Sequence, residues 1–201
     1  MGWTGSPGIV GPTVHTDRMQ DPDRLAAAAL FDTAIGTCAI VWTDVGVQRF
    51  MLPEPTAAAT RSRLLRRGSG VREAEPTGQI AEAIAGVRAH LSGSLDDLRW
   101  IALDQGGSPE FHRAVYEVTR AIDPGHTLSY GEVAERIGAP GAAQAVGQAL
   151  GRNPIPLIVP CHRVLAADHA LHGFSAPGGL TTKERLLGIE CTPGFGEPML
   201  F

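Results

Sequence analysis

The apolar positions between residues 28 and 52 form short runs rather than a helical stripe. These runs are interrupted by Gly36 and by the turn-forming residues 44–46, Asp-Val-Gly. Short apolar runs separated by turn residues are typical of strands, so this part of the chain predicts a meander. The Trp-Ile-Ala-Leu run at 100–103 predicts a further strand that closes the same region.

Two helices are predicted alongside these strands. Residues 55–67 contain four arginines and are consistent with a helix lying on the surface. Residues 79–91 carry apolar side chains at spacings of four, three and four, as in an amphipathic helix; they are Ile80, Ile84, Val87 and Leu91. We therefore predict an α/β amino-terminal domain over 25–107, preceded by a loose extension over 1–24 that is rich in Gly, Pro, Thr and Asp.

The pattern changes after a Gln-Gly-Gly linker at 105–107. Ser108 followed by Pro109 predicts a helix start, with the serine as cap and the proline at the first helical position. An apolar stripe then marks one face, formed by Phe111, Val115, Val118 and Ile122. We predict that residues 108–201 form a second, mainly helical carboxy-terminal domain.

Two short helices with a turn between them are predicted inside this second domain. The first covers 130–137 and ends at Gly138, and the second covers 142–150. The pair has the dimensions of a helix-turn-helix. Its second helix consists mainly of small uncharged residues, which suit either close approach to a minor groove or tight packing in a protein interior. The pattern alone leaves both interpretations open.

Composition places the chain among ordinary globular proteins. Of 201 residues, 43% are hydrophobic and 19% are charged, which is typical of a soluble fold. No apolar run approaches the roughly 20 residues that span a bilayer, and no cleavable leader is apparent. Three widely spaced cysteines give neither a disulfide framework nor a zinc spacing. We expect a cytoplasmic protein that makes no membrane contact.

The charge balance limits what kind of nucleic-acid binding is expected. A net charge of −4 argues against binding by bulk electrostatic attraction. Residues 139–167 contain no acidic side chain, and their charged groups apart from histidine are Arg152 and Arg163. Two positive charges predict few phosphate contacts and a shallow salt dependence.

The most informative segment is 153–163, which reads Asn-Pro-Ile-Pro-Leu-Ile-Val-Pro-Cys-His-Arg. Its three prolines fix φ and remove backbone donors, so we predict a rigid, extended stretch. The apolar run at 157–159 should be buried and should end at Cys161. A thiol is nucleophilic as its thiolate, and His162 offers a proton acceptor directly or through water. The alternative is an ordinary buried cysteine.

Five motifs in the same order over 111–190 carry a family resemblance. They are SYGEVA at 129–134, GAAQAVG at 141–147, RNP at 152–154, VPCHRV at 159–164 and GGLTTKE at 178–184. The chain resembles the O6-alkylguanine-DNA alkyltransferases, also called methylated-DNA–protein-cysteine methyltransferases. The resemblance implies stoichiometric transfer of an alkyl group from O6-alkylguanine, and in some cases O4-alkylthymine, to Cys161.

The resemblance also implies roles for the residues around Cys161. His162 would take the thiol proton through a water, and Glu190 would orient the imidazole and balance its charge. On spacing alone, Glu190 reads as a solvated carboxylate at a helix end. Asn153 would brace the cysteine loop by hydrogen bonds, because Asn-Pro turns commonly do so. No metal or cofactor is implied.

Further positions are implied to bind the substrate, which is alkylated double-stranded DNA with the damaged base flipped out through the minor groove. Tyr130 would push on the phosphate, Phe174 would stack on the base, and Ser175 and Val164 would bond it through their main chains. The base pocket would also include Leu150.

The DNA contacts implied by the resemblance are Ala143, Gln144, Ala145, Gly147 and Arg152. Gln144 departs from the family, which commonly has an arginine there to fill the space left by the extruded base. Glutamine lacks the charge and the planar stacking of a guanidinium, so flipping should be less efficient. We expect a monomeric protein.

Two other functions remain open from the sequence. A non-catalytic protein of the same fold would bind alkylated lesions and mark them for other repair machinery, although relatives of that kind replace the reactive cysteine. A cysteine hydrolase using Cys161, His162 and Glu190 would need an oxyanion hole and would leave the helix pair unexplained.

Overall fold

The computed structural model describes residues 26–67, 70–168, 170–171 and 173–196. The extension predicted over 1–24 lies outside these residues. The amino-terminal part contains a four-stranded sheet in the order β3-β2-β1-β4, with β1, β2 and β3 antiparallel and β4 parallel to β1. Its strands are β1 Ala26–Thr33, β2 Gly36–Trp42, β3 Val47–Met51 and β4 Val71–Glu73. The predicted meander is confirmed, whereas β4 was not foreseen.

Two helices accompany this sheet, as predicted. They are α1 Ala57–Arg67 and α2 Gly78–Leu91. The apolar stripe of α2 faces inward, with Ile84 and Val87 buried beside the polar His90. Burial of this stripe against β1 removes apolar surface from water and holds the helix on the sheet.

The strand predicted at 100–103 is wrong. The backbone turns at 98–101, where the Ile101 N–H donates to the Leu98 carbonyl at 3.3 Å. A single guanidinium nitrogen of Arg120 donates to three carbonyls of this turn, those of Leu98, Arg99 and Ile101. Leu103 alone forms a bridge, pairing with Val47 at the edge of β3. The start of the apolar run therefore belongs to a turn at 98–101, whose carbonyls are satisfied by the Arg120 side chain rather than by a neighbouring strand.

The carboxy-terminal part is mainly helical, as predicted. Its helices are α3 Glu110–Arg120, α4 Tyr130–Arg136, α5 Ala143–Gly151 and α6 Gly179–Ile189, and its strands β5 Leu128–Ser129 and β6 Val164–Leu165 pair in parallel. The predicted start of α3 is corrected: Pro109 is the residue before the first helical turn and Ser108 makes no capping bond.

The helices α4 and α5 pack against each other and are joined by the turn at 137–142. A reciprocal pair of bonds fixes the start of α4: Ser129 Oγ accepts from the Glu132 N–H at 3.1 Å, and the Glu132 carboxylate accepts from the Ser129 N–H at 2.7 Å. This capping box sets where Tyr130 leaves the backbone.

The two parts share one hydrophobic core, which runs from β2 and α2 to α5 and β6. The Phe50 N–H of β3 also donates to the Pro154 carbonyl at 3.0 Å, so the sheet is tied directly to the cysteine loop. No helix in the described part of the chain has the length and apolar character needed to cross a membrane.

Candidate active site

Two consecutive turns place Cys161. Pro160 has φ −79° and ψ 67°, and the Cys161 N–H donates to the Val159 carbonyl at 2.8 Å. These are the features of an inverse γ-turn. A 3-10 turn over Cys161–Arg163 follows at once, with the Arg163 N–H bonded to the Pro160 carbonyl at 2.9 Å. The expected extended conformation is therefore replaced by turns that present the cysteine at a sharp bend.

The apolar run before the cysteine is buried, as predicted. Leu157, Ile158 and Val159 are at most 1% exposed. The run is coiled rather than extended, because the Val159 N–H donates to the Ile155 carbonyl at 2.8 Å and Leu157 has a φ of 75°. Asn153 spans this coil: its Nδ2 donates to the Val159 carbonyl at 2.8 Å and its Oδ1 accepts from the Ile155 N–H at 2.9 Å.

Burial raises the pKa of the Cys161 thiol above its ordinary value. A hydrogen bond from the Asn153 side chain and the positive charge of Lys183 act against that rise. The cysteine is 8% exposed and lines two cavities of the surface. The resting thiol is therefore protonated and needs a base nearby in order to react.

Glu190 is the acceptor at the centre of a buried network. Its Oε1 is 2.9 Å from His162 Nε2, 3.1 Å from His90 Nε2 and 2.7 Å from an Arg163 Nη atom, and its Oε2 accepts from Arg163 Nε at 2.9 Å. Burial alone would raise the pKa of this carboxyl. The hydrogen bonds that the carboxylate accepts from His162, His90 and Arg163 outweigh that effect and hold its pKa well below the usual range.

The orientation of His162 makes it a proton acceptor. Because Nε2 faces the carboxylate, Nε2 carries the ring proton and Nδ1 is the basic nitrogen. Nδ1 is buried and has no hydrogen-bond partner in the described residues. Burial lowers the pKa of His162, and the Glu190 carboxylate opposes that shift. The ring is therefore neutral at rest and able to take a proton.

The structure corrects the expected availability of Arg163 to phosphates. Its side chain is 1% exposed and forms two bonds to Glu190, and its Nη1 donates to the Ile122 carbonyl. This bidentate contact neutralises a carboxylate inside the protein. Of the two arginines in the acid-free stretch, Arg152 is the exposed one.

Lys183 is a second buried cation near the cysteine. Its Nζ donates to the Val164 carbonyl at 2.7 Å, and the residue is fully buried. Burial lowers the pKa of Lys183 to about 8, while the nearby Cys161 favours the charged form. Lys183 is thus a cation whose charge acts on the sulfur.

Cys161 borders two cavities. The larger, a cleft of about 790 Å³, is lined mainly by apolar surface from α4, α5 and the loop at 173–175. The smaller, about 180 Å³, lies between this loop, the residues after α5 and β3. The larger cleft is wide enough for an aromatic ring beside the sulfur. No cluster of three or more residues suited to a metal occurs in the parts of the chain described.

Known proteins are similar to this chain in sequence and in fold. The family model described as "6-O-methylguanine DNA methyltransferase, DNA binding domain" matches residues 110–192. A methylated-DNA–protein-cysteine methyltransferase of Methanothermobacter thermautotrophicus is 35% identical over 151 residues, which is 75% of this chain and 77% of that protein. The chain belongs to the methylated-DNA–protein-cysteine methyltransferase family.

Other members of the methyltransferase family match part or most of the chain. The protein of that name from Mycolicibacterium paratuberculosis is 49% identical over 111 residues, covering 55% of this chain and 65% of its own length. The crystal structure of Mycobacterium tuberculosis OGT in complex with DNA is 31% identical with a TM-score of 0.66, over 84% of this chain and 96% of that one. The resemblance stated from the motifs is confirmed.

Most residues predicted for substrate and DNA lie around the larger cleft. Those lining it, besides Cys161, are Tyr130, Ala143, Gln144, Gly147, Leu150, Phe174 and Ser175. Ala145 is exposed on α5 outside this lining, and Arg152 and Asn153 line the smaller cavity. The Val164 carbonyl, predicted to bond the base, already accepts from Lys183. Their functional roles stay predictions.

Two buried residues of the site, Lys183 and His90, were not predicted from the sequence. Lys183 lies within a family motif, and nothing in the motif indicated that its side chain turns inward. His90 did leave a signal, because it lies three residues after Val87 and one before Leu91, on the buried face of α2. A polar side chain in an apolar stripe needs a buried partner.

Proposed function

We propose that this protein repairs DNA directly by transferring an alkyl group, chiefly methyl, from O6-alkylguanine to Cys161, with O4-alkylthymine as a second substrate. One observation carries the proposal: Cys161 borders an apolar cleft, and the next residue, the buried His162, is bonded to the Glu190 carboxylate while its Nδ1 has no partner among the described residues. The names of the relatives agree with this activity.

The chemistry is a displacement at carbon. The thiol proton passes to His162 Nδ1 through an intervening water, and Glu190 with Arg163 holds the imidazole in the required orientation. A sulfur lone pair forms the new S–C bond while the C–O6 bond pair returns to the base oxygen. The proton then ends on guanine, which leaves an ordinary keto base and an S-alkylcysteine. Nothing in this sequence of steps restores the thiol, so each molecule acts once.

The cleft reaches DNA through α4 and α5, which we propose act as a helix-turn-helix in the minor groove. The small residues Ala143, Ala145 and Gly147 on α5 permit close approach of the helix backbone to DNA. Gln144 is exposed beside the cleft mouth, where it can occupy the space of an extruded nucleotide. Tyr130 at the start of α4 would then turn the damaged nucleotide towards Cys161.

The flipped base would occupy the larger cleft, with Phe174 against its face, and Arg152 would contact a phosphate. We assign these tasks to a carboxy-terminal domain over 108–201 and propose that the protein acts as a monomer. The domain at 25–107 supports the cysteine loop through the bond from β3 to Pro154.

The decisive experiment is mass spectrometry after incubation with a duplex that contains one O6-methylguanine. We expect the Cys161 peptide to gain the mass of one methylene group, in an amount equal to the protein consumed. Cys161→Ser should bind the lesion without forming the adduct, because a hydroxyl is a far weaker nucleophile at neutral pH.

The matched control is Cys191→Ser, which removes the exposed cysteine and should leave transfer unchanged. Binding with no adduct in the wild-type protein would support the non-catalytic alternative and refute transfer. Repeated turnover of a thioester would indicate a hydrolase instead.

A further inference from the structure

The amino-terminal helix α2 contributes a side chain to the buried network of Glu190. His90 lies in the last turn of α2 and is 0% exposed. Its Nε2 is 3.1 Å from Glu190 Oε1, a contact across 100 positions of the chain. No other contact described here brings a side chain of the amino-terminal sheet or its helices to this carboxylate.

The hydrogen bonds of His90 fix its tautomer. The Asp96 N–H donates to His90 Nδ1 at 3.3 Å, so Nδ1 is the lone-pair nitrogen. The proton is therefore on Nε2, which donates to Glu190. His90 acts as a neutral donor, and Arg163 supplies the charge that balances the carboxylate.

Three donors converge on a single oxygen of Glu190, those of His90, His162 and Arg163. A carboxylate oxygen offers about two lone-pair directions, so these donors define its position from several sides. His162 keeps its Nε2–H tautomer only while this oxygen stays in place. A shift of the carboxylate would change both the direction of the ring and the basicity of Nδ1.

We propose that His90 is a positioning residue for alkyl transfer: by holding Glu190 Oε1 from the amino-terminal side, it fixes the orientation in which His162 accepts the thiol proton. This inference rests on the proposed transfer to Cys161. It gives the amino-terminal part of the chain a direct share in the proton relay.

The test compares His90→Leu, which removes the donor, with His90→Gln, whose amide nitrogen can reach the same oxygen. In single-turnover transfer at saturating O6-methylguanine duplex, we expect His90→Leu to be slower by about tenfold, part of the effect of a positioned base. His90→Gln should recover most of the rate. The dissociation constant for the duplex should be the same in all three proteins.

A structural role alone would not give this result. Thr60→Val is the matched control, because Thr60 is buried in the same part of the chain and bonds only to the backbone at Thr56 and Glu54. It should lower thermal stability without changing the transfer rate. A folded His90→Leu with the wild-type rate, or a Gln variant as slow as the Leu variant, would overturn the proposal. If His90→Leu does not fold, His90→Asn replaces it, since the shorter amide stays polar but cannot reach Glu190.

A second readout does not depend on DNA repair. Iodoacetamide labelling of the Cys161 peptide is followed against pH, and we expect its midpoint to move to higher pH in His90→Leu and to return in His90→Gln. Besides His90, the ionisable groups that face Cys161 or Glu190 among the described residues are Lys183, His162, Arg163, Tyr116 and Tyr130, and they are common to all variants. If the wild-type protein transfers no alkyl group, the proposed function fails. An unchanged labelling midpoint in His90→Leu would by itself overturn the role of His90.

Discussion

Replacing Arg163 by methionine should destabilise the fold rather than weaken DNA binding. The substitution keeps the aliphatic length of the side chain but leaves Glu190 as a buried carboxylate without its cation. Removing one partner of a buried ion pair costs about 3–5 kcal/mol. For a chain of this size each kcal/mol lowers Tm by about 2–4 °C, so the expected decrease is roughly 6–20 °C.

The decrease should depend on pH. Arg163 helps to keep the pKa of His162 low, and without it the imidazole becomes the nearest available cation for Glu190. With that effect removed and the buried carboxylate left without a cation, we expect the folded-state pKa of His162 in the variant to rise above its ordinary value of 6.5. The stability that protonated His162 restores by pairing with Glu190 is fully present below that ordinary pKa. It is lost as the pH rises through the folded-state pKa. The variant should therefore lose less Tm at about pH 5.5 than at about pH 8.

Arg152→Ala is the matched comparison, because this arginine is exposed. Its effect on stability should lie within about 0.5 kcal/mol, while the salt dependence of duplex binding should fall by about 0.9 in logarithmic slope. Thermal denaturation by circular dichroism and fluorescence anisotropy with a labelled duplex measure the two effects. An Arg163→Met protein with unchanged Tm and a reduced salt slope would refute the assignment of Arg163 to the interior.

Two further substitutions test the cleft and the sulfur. Gln144→Arg should speed repair of duplex DNA but not of a single-stranded substrate, because a guanidinium can stack in the space that the flipped base leaves in the duplex. Single-turnover rates at high salt measure this difference. Equal gains on both substrates would show that residue 144 does not assist flipping. Lys183→Met should move the midpoint of Cys161 labelling by iodoacetamide to higher pH, since Lys183 lowers the pKa of the thiol; an unchanged midpoint would mean that its charge does not reach the sulfur.

Local sequence patterns were sufficient to predict many of the helices and strands. The stripe of α2 and the glycine-limited runs of the meander depend on residues within one or two turns of each other, and both predictions are confirmed. The run at 100–103 has the same apolar content as a strand. Its first two residues belong instead to a turn at 98–101, whose carbonyls accept from Arg120, about twenty residues later.

The candidate site likewise has features that the local sequence predicts and features that depend on distant residues. The prolines and Cys161 lie in one segment, so the segment could be recognised directly. The location of Arg163 depends on Glu190, which is 27 positions away, and that of His90 on the same carboxylate across 100 positions. A charge within an acid-free stretch appears exposed until its distant partner is known, and this is why Arg163 was assigned to phosphates.

The burial of Cys161 has a consequence for the lifetime of the unused protein. Oxidants and stray electrophiles attack the thiolate far faster than the neutral thiol. Cys161 is 8% exposed and burial raises the pKa of its thiol, so the resting sulfur stays in the less reactive thiol form. Under the proposed single transfer per molecule, each accidental oxidation would remove one repair event. Burial of Cys161 would then preserve the capacity of the unused protein for the proposed repair.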